Sequence, residues 1–236
     1  MTEFLKQGGA DGVIRRVPPG GIGIADRSDA SIQEAPAEQA MGGKVFMATE
    51  EPITLHGLGF LQVPLAGDDR RRLHVWHPEL PRRRCFAHSS IHNHRFGFTS
   101  QVLVGVQINR SYRVTNVDDM VRATHVPYLH EGERTPYGNR PWLPGVAVRV
   151  SLVQLEEVKA GQSYEVVPYA FHSTEPGGDG RVATIMSKTY EGPHGAQSLC
   201  AIGIGPDVDF DRKQWPAHRL WSIVREVLEG ATRSAG

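Results

Sequence analysis

From Lys44 onward the chain alternates apolar and polar residues in short bursts. The runs read "KVFMAT", "ITLHGLGFLQVPL", "RLHVWHP", "TSQVLVGVQINRSYRVT", "VRATHVPYL", "AVRVSLVQLEEV", "SYEVVP" and "VATIMSKTY". Each is rich in Val, Ile, Thr and aromatic residues and is bounded by turn residues. A period of two sends successive side chains to opposite faces, so each run predicts a strand. Many short strands at this spacing predict an all-β sandwich or barrel over residues 44–204.

The pattern fails in three places. Residues 1–43 are rich in Gly, Ala and Pro and hold no sustained period. They predict an irregular N-terminal arm, with one short helix near Ser31–Met41. Leu129–Gly145, "LHEGERTPYGNRPWLPG", predicts a long loop interrupting the sheet. Residues 205–236 change period: Leu220, Ile223, Val224 and Leu228 stand at helical spacing, with Pro216 suited to a first turn and Gly230 to a stop. That tail predicts one amphipathic helix packed on the barrel or on a partner chain, which leaves a homodimer open.

Composition narrows the function classes. The 26 basic and 26 acidic residues cancel, so no general field draws the chain to nucleic acid or to a membrane surface. The triplets Arg70–Arg72 and Arg82–Arg84 read as solvated surface, with one arginine available to a site. Two cysteines, Cys85 and Cys200, make neither a disulfide framework nor a Cys-rich zinc pattern. The opening "MTEFLKQGGADG" lacks the regions of a signal peptide, and no apolar run approaches the roughly 20 residues of a membrane span. A cytoplasmic protein acting on a small molecule is the expectation.

The chemistry concentrates at "SSIHNHRFGFTSQVLVG", Ser89–Gly105. In an extended chain His92 and His94 share a face while Asn93 points away. Such a pair also suits an exposed strand face, but it supplies two convergent imidazoles, and a neutral imidazole is the commonest metal ligand. His172, in "SYEVVPYAFHSTEP", is the best third candidate because it follows a strand-like run and the Pro168 turn. His56, His74, His77, His88, His125, His130, His194 and His218 have no matched spacing and read as structural or surface residues. His88, four residues before His92, is the one to watch. Tyr169, Tyr190 and Trp142 are pocket candidates, though each also suits core packing. "GGIGIADRSD" lacks a preceding strand and the full glycine pattern of a dinucleotide site.

"SSIHNH" before an apolar strand ending in Gly105, and later Gly161, Pro168 and His172, resemble the two motifs of the cupin superfamily. Within it, "SSIHNH" is most similar to the thiol dioxygenases of the cysteine dioxygenase kind, and "HVW" at His74–Trp76 is similar to their upstream strand. The resemblance spans roughly residues 70–190. It implies a double-stranded β-helix, or jelly-roll barrel, with His92, His94 and His172 as ligands of one metal. Cupins commonly carry a glutamate after the histidine pair, but Arg95–Thr99 hold no carboxylate, as in the thiol dioxygenases. Other features depart from that family. Its Ser–His–Tyr relay would fall near Ile185, Ser187 and Thr189, and Tyr190 is one residue out of phase. No cysteine follows His94, and the His94–His172 interval is long.

The resemblance implies Fe(II), although the same ligands suit Zn, Ni or Mn. It further implies O2-dependent oxidation of a small thiol-bearing or anionic substrate, with one arginine of Arg70–Arg72, Arg72 being the named candidate, holding a substrate carboxylate and Tyr190 in the pocket. Asn93 or Ser173 would orient the imidazoles. A zinc or manganese isomerase, lyase or hydrolase uses the same ligands without O2. A non-catalytic binding protein would keep the histidines as structure.

Overall fold

The computed structural model describes residues 14–17 and 52–234. The expected helix near Ser31–Met41 and the strand "KVFMAT" lie outside the described residues. In chain order the strands are β1 (Ile14–Val17), β2 (Thr54–His56), β3 (Phe60–Leu65), β4 (Asp68–Trp76), β5 (Phe96–Val104), β6 (Val106–Asn116) and β7 (His125–His130). They continue as β8 (Trp142–Pro144), β9 (Val148–Lys159), β10 (Ser163–Val166), β11 (His172–Pro176), β12 (Val182–Glu191) and β13 (Ala196–Ala201). Helix α1 (Arg84–His88) precedes β5, and α2 (Ala217–Ser234) follows β13. The all-β expectation holds: the strands form two sheets with a helix at the C-terminal end.

The larger sheet runs β1-β10-β5-β12-β4-β3-β2, and the smaller runs β11-β6-β9-β7-β13 with β8 on β7. All pairings are antiparallel. Two expectations need correction. Ile14–Val17, placed in the irregular arm, forms an edge strand paired with β10. Its Ile14 is buried in the core, which the surrounding Gly and Pro concealed. The predicted loop Leu129–Gly145 is shorter, since β7 extends to His130 and Trp142–Pro144 returns along it.

The two faces of the larger sheet bury different things. Phe60, Trp76, Phe98, Val102, Val182 and Met186 meet Val158 and Cys200 of the smaller sheet in the core between the sheets. Leu61, Val63, Leu73, Val75 and Ala183 point the other way, against Leu220, Ile223, Val224 and Val227 of α2. The helix therefore packs on the outer face of the larger sheet, through one i, i+3, i+4, i+7 stripe. Leu228, expected in that stripe, is only partly buried, and Val227 takes the deep position. Glu226 anchors the helix further, accepting from Arg181 Nε at 3.0 Å and lying 3.1 Å from His77 Nε2. No helix among the described residues is long and apolar enough to cross a membrane.

Gly105 is the corner between the sheets. It joins β5 of one to β6 of the other at φ +76, and a Cβ there would lie 2.3 Å from the Arg181 carbonyl. Only glycine meets both conditions.

Candidate metal centre

The histidine pair does not sit within a long strand. His92 forms single bridges to His172 and to Ser198, while His94 precedes β5. Backbone bonds hold residues 91–93 on both sides. His92 N donates to His172 O and His172 N to His92 O, each at 2.9 Å. On the other edge Asn93 N donates to Gln197 O at 2.9 Å and Leu199 N to Ile91 O at 2.8 Å. The segment thus spans β11 and β13, the two ends of the smaller sheet.

Three imidazoles meet there. One ring nitrogen from each of His92, His94 and His172 lies within 4.8 Å of the others. Ring centroids are 4.8 Å apart for His92–His94, 4.5 Å for His92–His172 and 5.2 Å for His94–His172. His92 and His172 are buried and His94 is half-buried. The cluster contains no carboxylate.

Two rings are oriented in the same way. His92 Nδ1 lies 2.8 Å from the Ser90 carbonyl, and His172 Nδ1 lies 3.0 Å from the Ala170 carbonyl. A carbonyl only accepts, so each Nδ1 carries the proton and each Nε2 keeps a free lone pair. This corrects the expectation for Asn93 and Ser173. The Asn93 Oδ1 accepts from Gln197 N at 2.7 Å and pins the segment to β13. Ser173 Oγ lies 3.0 Å from the Tyr112 hydroxyl. The orienting acceptors are main-chain atoms two residues before His92 and His172, which residue types cannot reveal.

Burial keeps the rings neutral. It holds His92 below the usual imidazole range against the opposing Ser90 carbonyl. Burial and then His92 bring His172 down to about 3. His94 is held well below the usual range by burial, then by His92, His172, His56 and His74. Neutral imidazoles with aimed lone pairs are the donor set a borderline divalent metal takes.

The second motif docks onto the first through a strained residue. Tyr169 sits at φ 62, a conformation rare outside glycine. Its N–H donates to the His94 carbonyl at 2.7 Å, and its hydroxyl accepts from His194 N at 2.8 Å. Tyr169 therefore ties the turn before His172 to the backbone of His94.

Cationic side chains gather around β4: Arg72 acts on both Lys188 and Arg212. Strand β4 turns Arg72, His74 and Trp76 to one face and Leu73 and Val75 to the other. Of the three candidate arginines, Arg70 and Arg71 are exposed and Arg72 is half-buried. Arg72 pairs in register with Met186 of β12, and its pKa is lowered by burial and then by Arg134. Lys188 lies over the Phe96 ring at 4.7 Å, and Phe96 stacks on His94 at 4.9 Å. Burial and then Arg72 lower the Lys188 pKa. Arg212 donates to Gln62 Oε1 at 3.0 Å, and burial and then Arg134 bring it down to about 10.

His56 and His74, without matched spacing in the sequence, both lie in the field of His94. Phe60 stands between their rings, 4.4 Å from His56 and 4.7 Å from His74. Burial and then Arg72 bring His74 down to about 3. Its Nε2 is buried without a partner, as is the hydroxyl of Thr184, its cross-strand neighbour. The signal was in "RRLHVW", whose alternation sets His74 two residues from Arg72 on one face. His130 lies 2.8 Å from Ser198 Oγ and packs edge-on against Trp142. His88 is exposed at the end of α1. Tyr190 is 70 % exposed, and no ring contact among the described residues joins it to the cluster. Neither the models of known protein families nor the curated proteins yield a match to this chain.

Proposed function

We propose that the chain is a cupin-type, non-haem Fe(II) dioxygenase that oxidises a small thiol-bearing or anionic substrate with O2. The observation that carries the reading is the convergence of His92, His94 and His172 without a carboxylate. Two antiparallel sheets enclosing the cluster, with Gly105 turning the chain between them, support the double-stranded β-helix.

Fe(II) held there would supply O2 activation and a point of attachment for a thiolate or carboxylate. The protein's own groups favour an anion. Three neutral ligands leave the charge of a divalent ion uncompensated, and Lys188 adds positive charge over the Phe96 ring that stacks on His94, with Arg72 in its field. The Arg72 guanidinium makes no hydrogen bond or ion pair among the described residues, so it is available to a carboxylate in the two-pronged geometry such pairs adopt. His74, neutral and with Nε2 unpartnered, offers the substrate a hydrogen-bonding group beside Arg72. Phe98 packs against the rings of His94 and His172 and gives the cluster an apolar side.

The test is anaerobic reconstitution with Fe(II), followed by thiols and small organic acids at an oxygen electrode. Oxygen uptake dependent on one such compound, without 2-oxoglutarate, is the expected result. The imidazole set also accepts Zn, Ni or Mn. A protein that holds zinc, ignores O2 with every compound and isomerises, cleaves or hydrolyses one of them belongs to the Lewis-acid reading. No turnover and no bound metal would leave a non-catalytic binding protein.

A further inference from the structure

Helix α1 lies against β13, and each element brings a cysteine to the contact. Cys85 of α1 and Cys200 of β13 are both free thiols, both buried, and share one core cluster. The Cys200 thiol donates to Cys85 Sγ, so the two sulfurs touch. The Asp207 N–H donates to the same Sγ. Arg83, buried just before α1, acts on both sulfurs and donates to the Asp207 carbonyl at 2.8 Å. Donors and a cation gathered around one sulfur favour its thiolate. The Cys200 thiol first, then the Asp207 N–H and Arg83, hold Cys85 below the usual thiol range against its burial. Cys200, bonded to that sulfur and buried, is pushed up. One sulfur is the nucleophile and the other keeps its proton.

A cavity of about 300 Å³ reaches Cys85, lined also by Arg84, His88 and residues 203–207. Arg84 and His88 are exposed, so the cavity communicates with solvent. Cys85 itself is 1 % exposed, which admits a small oxidant and turns away a bulky one. The two elements also hold the histidine segment. The Cys85 carbonyl accepts from Ser89 N at 3.2 Å, at the start of the run to His92. Strand β13 supplies Leu199 N and the Gln197 carbonyl, which bond Ile91 and Asn93.

We propose that Cys85 and Cys200 are a redox pair, oxidised by a hydroperoxide to a disulfide that ties α1 to β13 and tightens the His92 segment between them. The Cys85 thiolate attacks one peroxide oxygen, the O–O bond breaks, and Cys85 becomes a sulfenic acid while the other oxygen leaves and takes up a proton. Cys200 Sγ then displaces the hydroxyl from Cys85 Sγ, and its own proton departs with that hydroxyl as water. Two thiols have lost two electrons and the peroxide has gained them. A dithiol reverses the bond by exchange. Neither sulfur belongs to the histidine cluster, so the pair is separable from the activity proposed above.

Peptide mass mapping of the folded full chain after equimolar hydrogen peroxide tests this. A linked Cys85–Cys200 peptide pair, two hydrogens lighter than the free thiols, is expected, and dithiothreitol should restore both thiols. Amide exchange at residues 91–93 should slow in the oxidised form. Cys200→Ser should stop the reaction at a Cys85 sulfenic acid that dimedone traps, and Cys85→Ser should leave Cys200 untouched. Both positions are buried, so the parent chain carries the order of reactivity as well. At neutral pH iodoacetamide should label Cys85 at least about tenfold faster than Cys200. Survival of both thiols in peroxide, a disulfide only between chains, or Cys200 labelled first overturns the redox pair. Unchanged exchange at residues 91–93 in the oxidised form overturns its hold on the segment.

Discussion

His92 and His172 exchange both backbone hydrogen bonds, 2.9 Å in each direction. In an antiparallel arrangement this is the hydrogen-bonded pair, whose side chains leave the sheet on the same side. The ladder itself therefore positions two imidazoles. The third, His94, depends on the Tyr169 N–H bonded to its carbonyl. Removing that ring disturbs the least structure, because His94 is only half-buried. His94→Ala should lose most of the bound metal while its melting temperature without metal stays near the parent's. Elemental analysis finding full metal content would remove His94 from the ligand set.

Arg72 gives a test of the anionic substrate. Charge-assisted hydrogen bonds contribute about 1.5–3 kcal/mol, so Arg72→Gln should raise KM or the substrate Kd about 10- to 100-fold. Metal content should not change, because Arg72 is not in the ligand cluster. Equal affinity of parent and variant for the active substrate would place the carboxylate elsewhere.

Acid should destabilise the metal-free protein. His74 and His130 are each brought down to about 3 by burial, from an unfolded value near 6.5. Between these values the unfolded chain binds more protons than the folded one, so stability falls as pH is lowered. The contribution is fully present above pH 6.5 and is lost progressively toward pH 3. Each group adds a slope of up to about 1.4 kcal/mol per pH unit. Burial lowers the three clustered histidines in the same direction, which steepens the slope. Urea denaturation of chelated protein at stepped pH should show it, and His130→Asn should flatten it. A midpoint constant from pH 7 to pH 4 would contradict the buried neutral state.

Gly105→Ala should be costly despite adding one methyl group. The positive φ costs an L-residue about 1–2 kcal/mol, and the Cβ meets a main-chain carbonyl that has little room to retreat. A loss of at least about 2 kcal/mol corresponds to a melting temperature lower by about 4–8 °C. An unchanged thermal melt would mean that the corner relaxes.

Leu220 is 1 % exposed where α2 meets the outer wall of the larger sheet. Leu220→Ala should cost about 2–5 kcal/mol in denaturant titration, with metal binding retained. Coupled loss of metal would show that α2 supports the site through Leu73 and Val75 on the back of β4.

The site was partly legible in the sequence because extended chain has a fixed alternation. His92 and His94 announced themselves by spacing, and His172 by its turn and its likeness to a known motif. His74 went unread because a lone histidine in a strand acquires meaning only from what faces it. The orienting carbonyls of Ser90 and Ala170 were invisible for another reason: every residue carries a carbonyl, and only backbone conformation aims it. Arg72 stood out from Arg70 and Arg71 only after β12 and β3 flanked β4 and buried one of the three.

Alone, then, the sequence determined the strand periodicity, the helical stripe of α2, the residue types able to bind a metal and the absence of net charge. These are local properties, set by alternation, helical repeat and side-chain chemistry. Tertiary structure decided what depends on contacts distant in sequence: the bond pair joining His92 to His172, the inward face of β4, the pairing of Ile14–Val17 with β10 and the meeting of Cys85 with Cys200. Sheet order and register create those relationships, and they come from global packing that no short window of residues encodes.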